Sequence, residues 1–297
     1  SALVVLWRQI VEDMRQIVQI FARELPMDRL STLLSHFAVH AGTFHSGDFC
    51  GVSVHEGEPS GHVHLLQAGE LLLKPGNERE IRLDQPSLIF FPRPFAHRMI
   101  ADASMKTRLV CATLTFDGGS GNALAAALPD CLVLELTEIP ELASTLEWLF
   151  KEAFEGHCGR VAVMDRLFEL LVILLLRHLI SSRDQAPGMM AGLADPRLSR
   201  ALNLMHEQPE KPWSVADLAT AANLSRAGFA EQFHRVVGQT PGDYLLSWRV
   251  SLAQKRLREG RPIALIAEEV GYESPSALAR AFRRKTGLSP REWKAGI

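Results

Sequence analysis

Two groups of residues in this sequence have the types and spacing that chemistry asks for. The first is a histidine pair, His62 and His64, in the run "GHVHLLQ". On a strand, residues i and i+2 face the same side, so both imidazoles point into one space. Cys111 sits mid-run in "LVCATL", and a His/Cys set suits Zn²⁺. The plainer reading is that the histidines hydrogen-bond one another and that Cys111 is a small buried hydrophobe. The second group is cationic: Arg280, Arg283, Arg284 and Lys285 lie close together behind Ser274-Pro275. A guanidinium bonds guanine O6 and N7 bidentately, and clustered cations meet phosphates and set salt dependence.

The cations belong to a stretch, Trp213 to Trp293, built from two similar units. The first reads "WSVADLATAANLSRAGFAEQFHRVVG" and the second "PIALIAEEVGYESPSALARAFRRKTG". Ser214 with Asp217 has the pattern of a capping box. Ser225, Thr240, Ser274 and Ser289 stand where helices start, the last three followed by Pro; Gly238, Gly260, Gly271 and Gly287 stand where helices stop. A two-turn helix, a tight turn and a second helix make a helix-turn-helix motif, here expected at about 215–236 and 263–286, and its second helix enters the major groove. The spacer helix from Pro241 to Glu259 would be about 27 Å long, which holds the units roughly one DNA turn (~34 Å) apart.

Helical spacing separates core from reader on each second helix. Phe229, Phe233 and Val236 share one stripe; Ser225, Arg226, Ala227, Glu231, His234 and Arg235 are the DNA-facing candidates. In the second unit Leu278, Ala281 and Phe282 are core, and Ser274, Ser276, Arg280, Arg283, Arg284 and Lys285 are the candidates. Arg280 is the expected base reader. Glu231 could accept from a cytosine amine or be an ordinary solvated glutamate.

The rest of the chain has to position and control this module. Residues Leu3 to Leu25 are apolar at 3.6-residue spacing, which predicts an amphipathic helix over 1–26, ended by Pro26. Short β-type runs alternate with turn residues from Phe49 to about Leu136, as in a sandwich or small barrel. Pro140 to Ser181 reads as a helical hairpin whose second helix, apolar over more than one stripe, is covered on two sides and is a candidate dimerisation element. "SSRDQAPGMMAGLADP" has no period and reads as a linker over 182–196. The overall fold class is two-domain α+β: a β-barrel-like half with a helical hairpin, then an all-α half.

Composition supports that division. From Pro196 onward there are 16 Lys+Arg against 10 Asp+Glu, while the remainder holds 16 against 24. Such asymmetry points to one half meeting a polyanion. The four cysteines, Cys50, Cys111, Cys131 and Cys158, include no close pair, which argues against a disulfide framework or zinc ribbon and fits a reducing cytoplasm. The longest strongly apolar run, Leu170 to Leu176, is far short of the ~20 residues of a membrane span. No basic region and cleavage site open the chain, so no secretory signal is expected.

The double unit closely resembles the C-terminal domain of AraC/XylS-type transcriptional regulators over Asp195–Ile297, most specifically in "IAEEVGYESPSALARAFRRKTGLSPREWK" (Ile266–Lys294). That resemblance implies a cytoplasmic regulator, activator or repressor, that binds promoter duplexes and contacts RNA polymerase. It maps the base-reading arginine of the second unit onto Arg280. In the first unit, Ala227 and Glu231 occupy positions that hold large or basic readers in relatives, so backbone contacts or DNA shape carry more of the recognition there.

Residues Met27 to about Ser181, with the cupin-like part at 27–138, resemble the cupin-type regulatory domain of one AraC subgroup, through "GHVHLLQAGELLLKPG" (Gly61–Gly76) and "LIFFPRPFAHRM" (Leu88–Met99). With the hairpin at 139–181 and the DNA-binding domain at 197–297, this leaves 1–26 outside the resemblance. In metal cupins the histidine pair is joined by a later histidine, which maps onto His97, and by a carboxylate, for which Glu70 is slightly off-spacing; Cys111 is the alternative donor. The tentative effector or metal set is therefore His62, His64, His97 and Cys111, with Zn²⁺ as the suited ion and a metal-free pocket for a small-molecule or redox effector as the alternative. A homodimer is expected. The competing reading is a cupin metalloenzyme, dioxygenase-like, fused to a DNA-binding domain.

Overall fold

The computed structural model describes residues 28–119, 122–182 and 186–296. The helix expected over 1–26 lies outside the described residues.

The N-terminal half is a two-sheet β domain. Its strands are β1 (Val39–Phe49), β2 (Gly51–His55), β3 (Gly61–Ala68), β4 (Leu71–Pro75), β5 (Ile81–Leu83), β6 (Ser87–Phe91), β7 (His97–Ala101), β8 (Thr107–Phe116) and β9 (Leu132–Glu135). They form a five-stranded sheet ordered β1-β8-β3-β6-β9 and a four-stranded sheet ordered β2-β7-β4-β5, with antiparallel pairing throughout.

Side-chain alternation explains the layering. On β3, Val63 and Leu65 join a core shared with the helices, while Leu66 joins a second core between the sheets with Leu73, Phe91, Met99 and Cys111. The five-stranded sheet is thus buried on both faces, which is why β6, "SLIFF", is apolar almost without interruption and wholly buried. His62 and His64 share the parity of Leu66 and so face the inter-sheet space.

Helices α1 (Ser31–His36), α2 (Ala123–Ala126), α3 (Ala143–Phe154) and α4 (Arg160–Ser181) complete this half. α4 lies along β1 and finishes its free edge. The Thr43 backbone N–H and hydroxyl donate to Asp165 Oδ1 at 2.7 and 2.8 Å, and the Ala41 N–H donates to Glu169 Oε1 at 3.4 Å. Unpaired strand groups that would otherwise invite another strand are occupied.

The helical half contains α5 (Met189–Ala194), α6 (Leu198–Glu207), α7 (Val215–Ala221), α8 (Arg226–Val237), α9 (Pro241–Arg258), α10 (Ile263–Glu269), α11 (Pro275–Thr286) and α12 (Pro290–Ala295). The expected caps are in place: the Ser225, Thr240, Ser274 and Ser289 side chains each accept from the backbone N–H three residues on.

The stretch 182–196 differs from a plain linker. Its second half is α5, with Met189, Met190 and Leu193 buried. Gly192 makes this possible: a Cβ there would lie 2.7 Å from Leu202 Cδ1 and 2.9 Å from Val237 Cγ2. Gly188, Gly192 and the methionine pair between them hide the helical period, and close packing supplies the stability that propensity does not.

The two halves dock. Phe37 meets Trp248 of α9 edge-to-face at 5.4 Å between centroids. Lys255 Nζ donates to the His36 carbonyl at 2.5 Å and to Asp117 Oδ2 at 3.1 Å. Asn203 Nδ2 donates to the Asp28 carbonyl at 2.9 Å.

Candidate nucleic-acid interface and histidine cluster

In the helical half, each motif is a helix, a left-handed turn residue and a capped second helix. Asn223 (φ 54°) turns the first and Gly271 (φ 80°) the second. The turns share their hydrogen bonds: the Asn223 and Gly271 N–H groups bond the Thr220 and Glu268 carbonyls, and the Leu224 and Tyr272 N–H groups bond those of Ala219 and Ala267. Gly271 has a second constraint, because a Cβ there would lie 2.5 Å from the Glu210 carbonyl oxygen.

Phe229, Phe233 and Val237 anchor α8, and Leu278 and Phe282 anchor α11. Ser225, Arg226, Ala227, Glu231, His234 and Arg235 are exposed, as are Ser276, Arg280, Arg283, Arg284 and Lys285; Ser274 is half-buried by its capping role. Arg283 pairs with Glu292 at 3.1 Å and Arg284 with Asp243 at 2.6 Å. Arg280 has no ion-pair partner among the described residues, so its fork is open to a base edge. The paired arginines sit in exposed bridges that exchange readily for phosphate.

In the β domain, the inter-sheet space gathers four histidines. His62 and His64 come from β3. His55 and His97 are directly paired across β2 and β7 in the opposite sheet. All four are buried. His64 Nε2 and His97 Nε2 lie 2.9 Å apart, and His97 Nδ1 donates to the Phe95 carbonyl at 2.8 Å. That bond places the single proton of a neutral His97 on Nδ1 and leaves Nε2 as a lone pair. Glu58, on the β2–β3 connection, reaches His62 Nε2 at 2.6 Å and His55 Nδ1 at 3.2 Å. Ring stacking fixes the orientations: His97 lies against Phe91 at 4.0 Å and against His55 at 4.6 Å.

Burial favours the neutral form of His62, His64 and His97. It drives His64 well below the usual histidine range, with His97 next in effect. It takes His97 down to about 4 despite its bond to Phe95. It also lowers His62, helped by His55. Neutral imidazoles are metal ligands at physiological pH.

Two overlapping triads have ligand atoms within 4.8 Å of one another: His55, His64 and His97, and His55, Glu58 and His62. The rings of the expected His62, His64 and His97 lie 5.1–5.6 Å apart, but their ligand atoms fall into different triads: His62 groups with His55 and Glu58, and His64 and His97 group with His55. Glu70 instead follows the turn at Gly69 and pairs with Arg82 outside the cluster. Cys111 stands opposite His64 in the β3–β8 register, yet it belongs to neither triad. It is buried among Leu66, Leu109 and Met99, and that burial pushes its thiol far above the range of a ready thiolate.

His55 and Glu58 escaped the sequence reading. The available signal was the hairpin itself: a strand ending at His55 and a short connection bring the chain back at His62, alongside.

A family model described as Cupin matches residues 28–181, just over half of the chain, and one described as Helix-turn-helix domain matches 218–296. An AraC-like transcription regulator of Streptomyces antibioticus is 44% identical over 158 residues, 51% of this chain and 52% of that protein. RclR, an RCS-specific HTH-type transcriptional activator of Escherichia coli strain K12, is 30% identical over 239 residues, 79% of this chain and 84% of RclR. The chain belongs to the AraC-type transcriptional regulators with a cupin domain.

This AraC-type chain spans about half the length of the Streptomyces relatives it matches. Fatty-acid-bound ToxT of Vibrio cholerae overlaps 88% of this chain and 96% of ToxT, at 15% identity and a TM-score of 0.39, a likeness that says nothing of this chain's ligand. No helix among the described residues is long and apolar enough to cross a membrane.

Proposed function

We propose that this chain is a sequence-specific transcriptional regulator that reads duplex DNA through both helix-turn-helix units, with its input at the histidine cluster of the cupin domain. Arg280 carries the DNA reading: an exposed, unpaired guanidinium midway along a capped second helix, flanked by further cations. Footprinting across a salt series, followed by selection of bound genomic fragments, tests it. Binding should weaken steeply with salt and prefer particular sequences. Salt-insensitive binding, or binding without sequence preference, would refute the proposal.

The pocket beside the histidines has a volume of ≈130 Å³, below the roughly 300–1,000 Å³ of organic-ligand sites. This favours an ion or a very small species as the input. It also weighs against the dioxygenase reading, although Glu58 supplies the carboxylate that reading needs, because an organic substrate has no room beside the ion. An organic effector has a better fit in the ≈510 Å³ cavity between the halves, lined by Asn122, Tyr244, Trp248 and Gln254.

The hairpin α3–α4 leaves Trp148, Val161 and Leu170 exposed, which supports a second copy as its partner. Light scattering of the full chain at micromolar concentration should give a dimer mass.

A further inference from the structure

α9 links the two helix-turn-helix units along the chain, and its length sets their separation. Length alone leaves their relative rotation open. Gly238 and Gly260 flank the helix, each with a left-handed φ of 79°, and apolar packing against α9 is not directional. A second joint, at the middle of α9, is polar.

Arg249, half-buried, spreads its guanidinium between the units. Nε donates to the Pro209 carbonyl at 2.6 Å and Nη2 to the Lys211 carbonyl at 2.9 Å. Both carbonyls belong to the connection from α6 into α7, which opens the first unit. Nη1 donates at 3.3 Å to the carbonyl of Gly271, the turn residue of the second unit. The guanidinium also lies 5.4 Å from the centroid of the Tyr272 ring. The two backbones touch at the same point, since a Cβ on Gly271 would lie 2.6 Å from Glu210 Cα. The connection is itself braced. The Lys211 N–H donates to the Gln208 carbonyl at 3.2 Å, the Trp213 N–H to the Lys211 carbonyl at 2.9 Å, and the Trp213 indole to the Gln208 carbonyl at 3.0 Å. The next residue, Ser214, caps α7. All three guanidinium nitrogens are thus bonded to carbonyls on the two sides of one joint. Hydrogen bonds from a cation are strong and fix angle as well as distance.

We propose, on the reading that both units contact one duplex, that Arg249 is a positioning residue that fixes the rotational phase between the units and so selects the half-site spacing the chain accepts. Each added base pair moves one half-site by about 3.4 Å along the duplex and turns it by roughly 34°. A loose joint follows that turn; a joint held by three charge-assisted bonds does not. Arg249 acts without touching DNA, because its fork is occupied inside the protein. A lysine there keeps the charge but presents one nitrogen and cannot bridge three carbonyls.

The test uses the full chain and its selected site, with one base pair inserted or removed between the half-sites, in competition binding. The wild-type chain should lose about thirtyfold or more on either change. Arg249→Gln and Arg249→Lys should each lose less than about fivefold, with the base preferences and the salt slope of the wild type retained. Arg249→Lys is the milder change and carries the test if Arg249→Gln does not fold, and the wild-type arm needs no variant. Wild-type tolerance of the altered spacing, or undiminished spacing selectivity in either variant, would overturn the proposal. So would a salt slope lower by about 1 in Arg249→Gln, which would make Arg249 a phosphate contact. Binding without base preference would remove the two-unit reading and this inference with it; base preference with spacing tolerance would remove this inference alone.

Discussion

The two helix-turn-helix units share a backbone plan and differ in what surrounds it. Both turn through one left-handed residue and restart on a serine cap. The first packs Phe233 on Tyr244, whose hydroxyl meets the fully buried His206 at 2.6 Å. His206 in turn lies 4.2 Å from the ring of Trp248, which touches the β domain through Phe37. The second unit packs Phe282 on Trp293 and offers Arg280 to solvent. Local code builds the same motif twice; tertiary neighbours make one unit the anchored member and leave the other with Arg280 exposed.

Acid should separate them most. Burial takes His206 down to about 3, with His36 adding to the effect. A histidine lowered in the folded state contributes stability fully above its ordinary value of 6.5. Below that the unfolded chain binds a proton that the folded one refuses, so stability falls by about 1.4 kcal/mol per pH unit until about pH 3. Amide exchange across this window should release α8 before α11, and simultaneous release would remove the distinction between the units.

The turns come next. Gly271→Ala meets both a left-handed φ and the Glu210 backbone, and should cost about 2–4 kcal/mol in urea unfolding. Asn223→Ala meets only the φ and should cost about 1 kcal/mol. Equal losses would mean that the close approach at Gly271 relaxes freely.

Reading should follow the same division. Arg280→Ala should weaken binding by about 1–3 kcal/mol at one base position, and Glu231→Ala by under about 0.5 kcal/mol, measured by competition against single-base variants of the selected site. Arg283→Gln and Arg284→Gln should each lower the salt slope by about 1 without altering base preference. Losses from Glu231→Ala that match those from Arg280→Ala would make the first unit an equal reader. The smallest effect tests what the units share: Ser225→Ala and Ser274→Ala should each cost about 1 kcal/mol, and a wide gap between them would show that the caps are not equivalent.

The helical half was largely legible because its signals are local. A serine before a helix and a glycine after it act within a few residues, and Ser214, Ser225, Thr240, Ser274 and Ser289 all cap as their spacing implied. The strand parity of His62 and His64 was legible for the same reason. The full histidine cluster was not, because its membership depends on how two sheets face each other. His55 enters through its register with His97. Glu70, six residues past His64, leaves because Gly69 turns the chain onto the other sheet, and Cys111 points to the same interior but into its apolar part. α5 was hidden because its stability comes from Gly192 lying against α6 and α8, a contact that no period encodes.

One consequence follows from where the halves touch. Trp248 and Lys255, which meet the β domain, both lie on α9, the helix that joins the two helix-turn-helix units. In mechanical terms α9 is a shaft with a tool at each end, and the β domain grips the shaft rather than either tool. A tilt of that grip swings both tools together and leaves the gap between them unchanged.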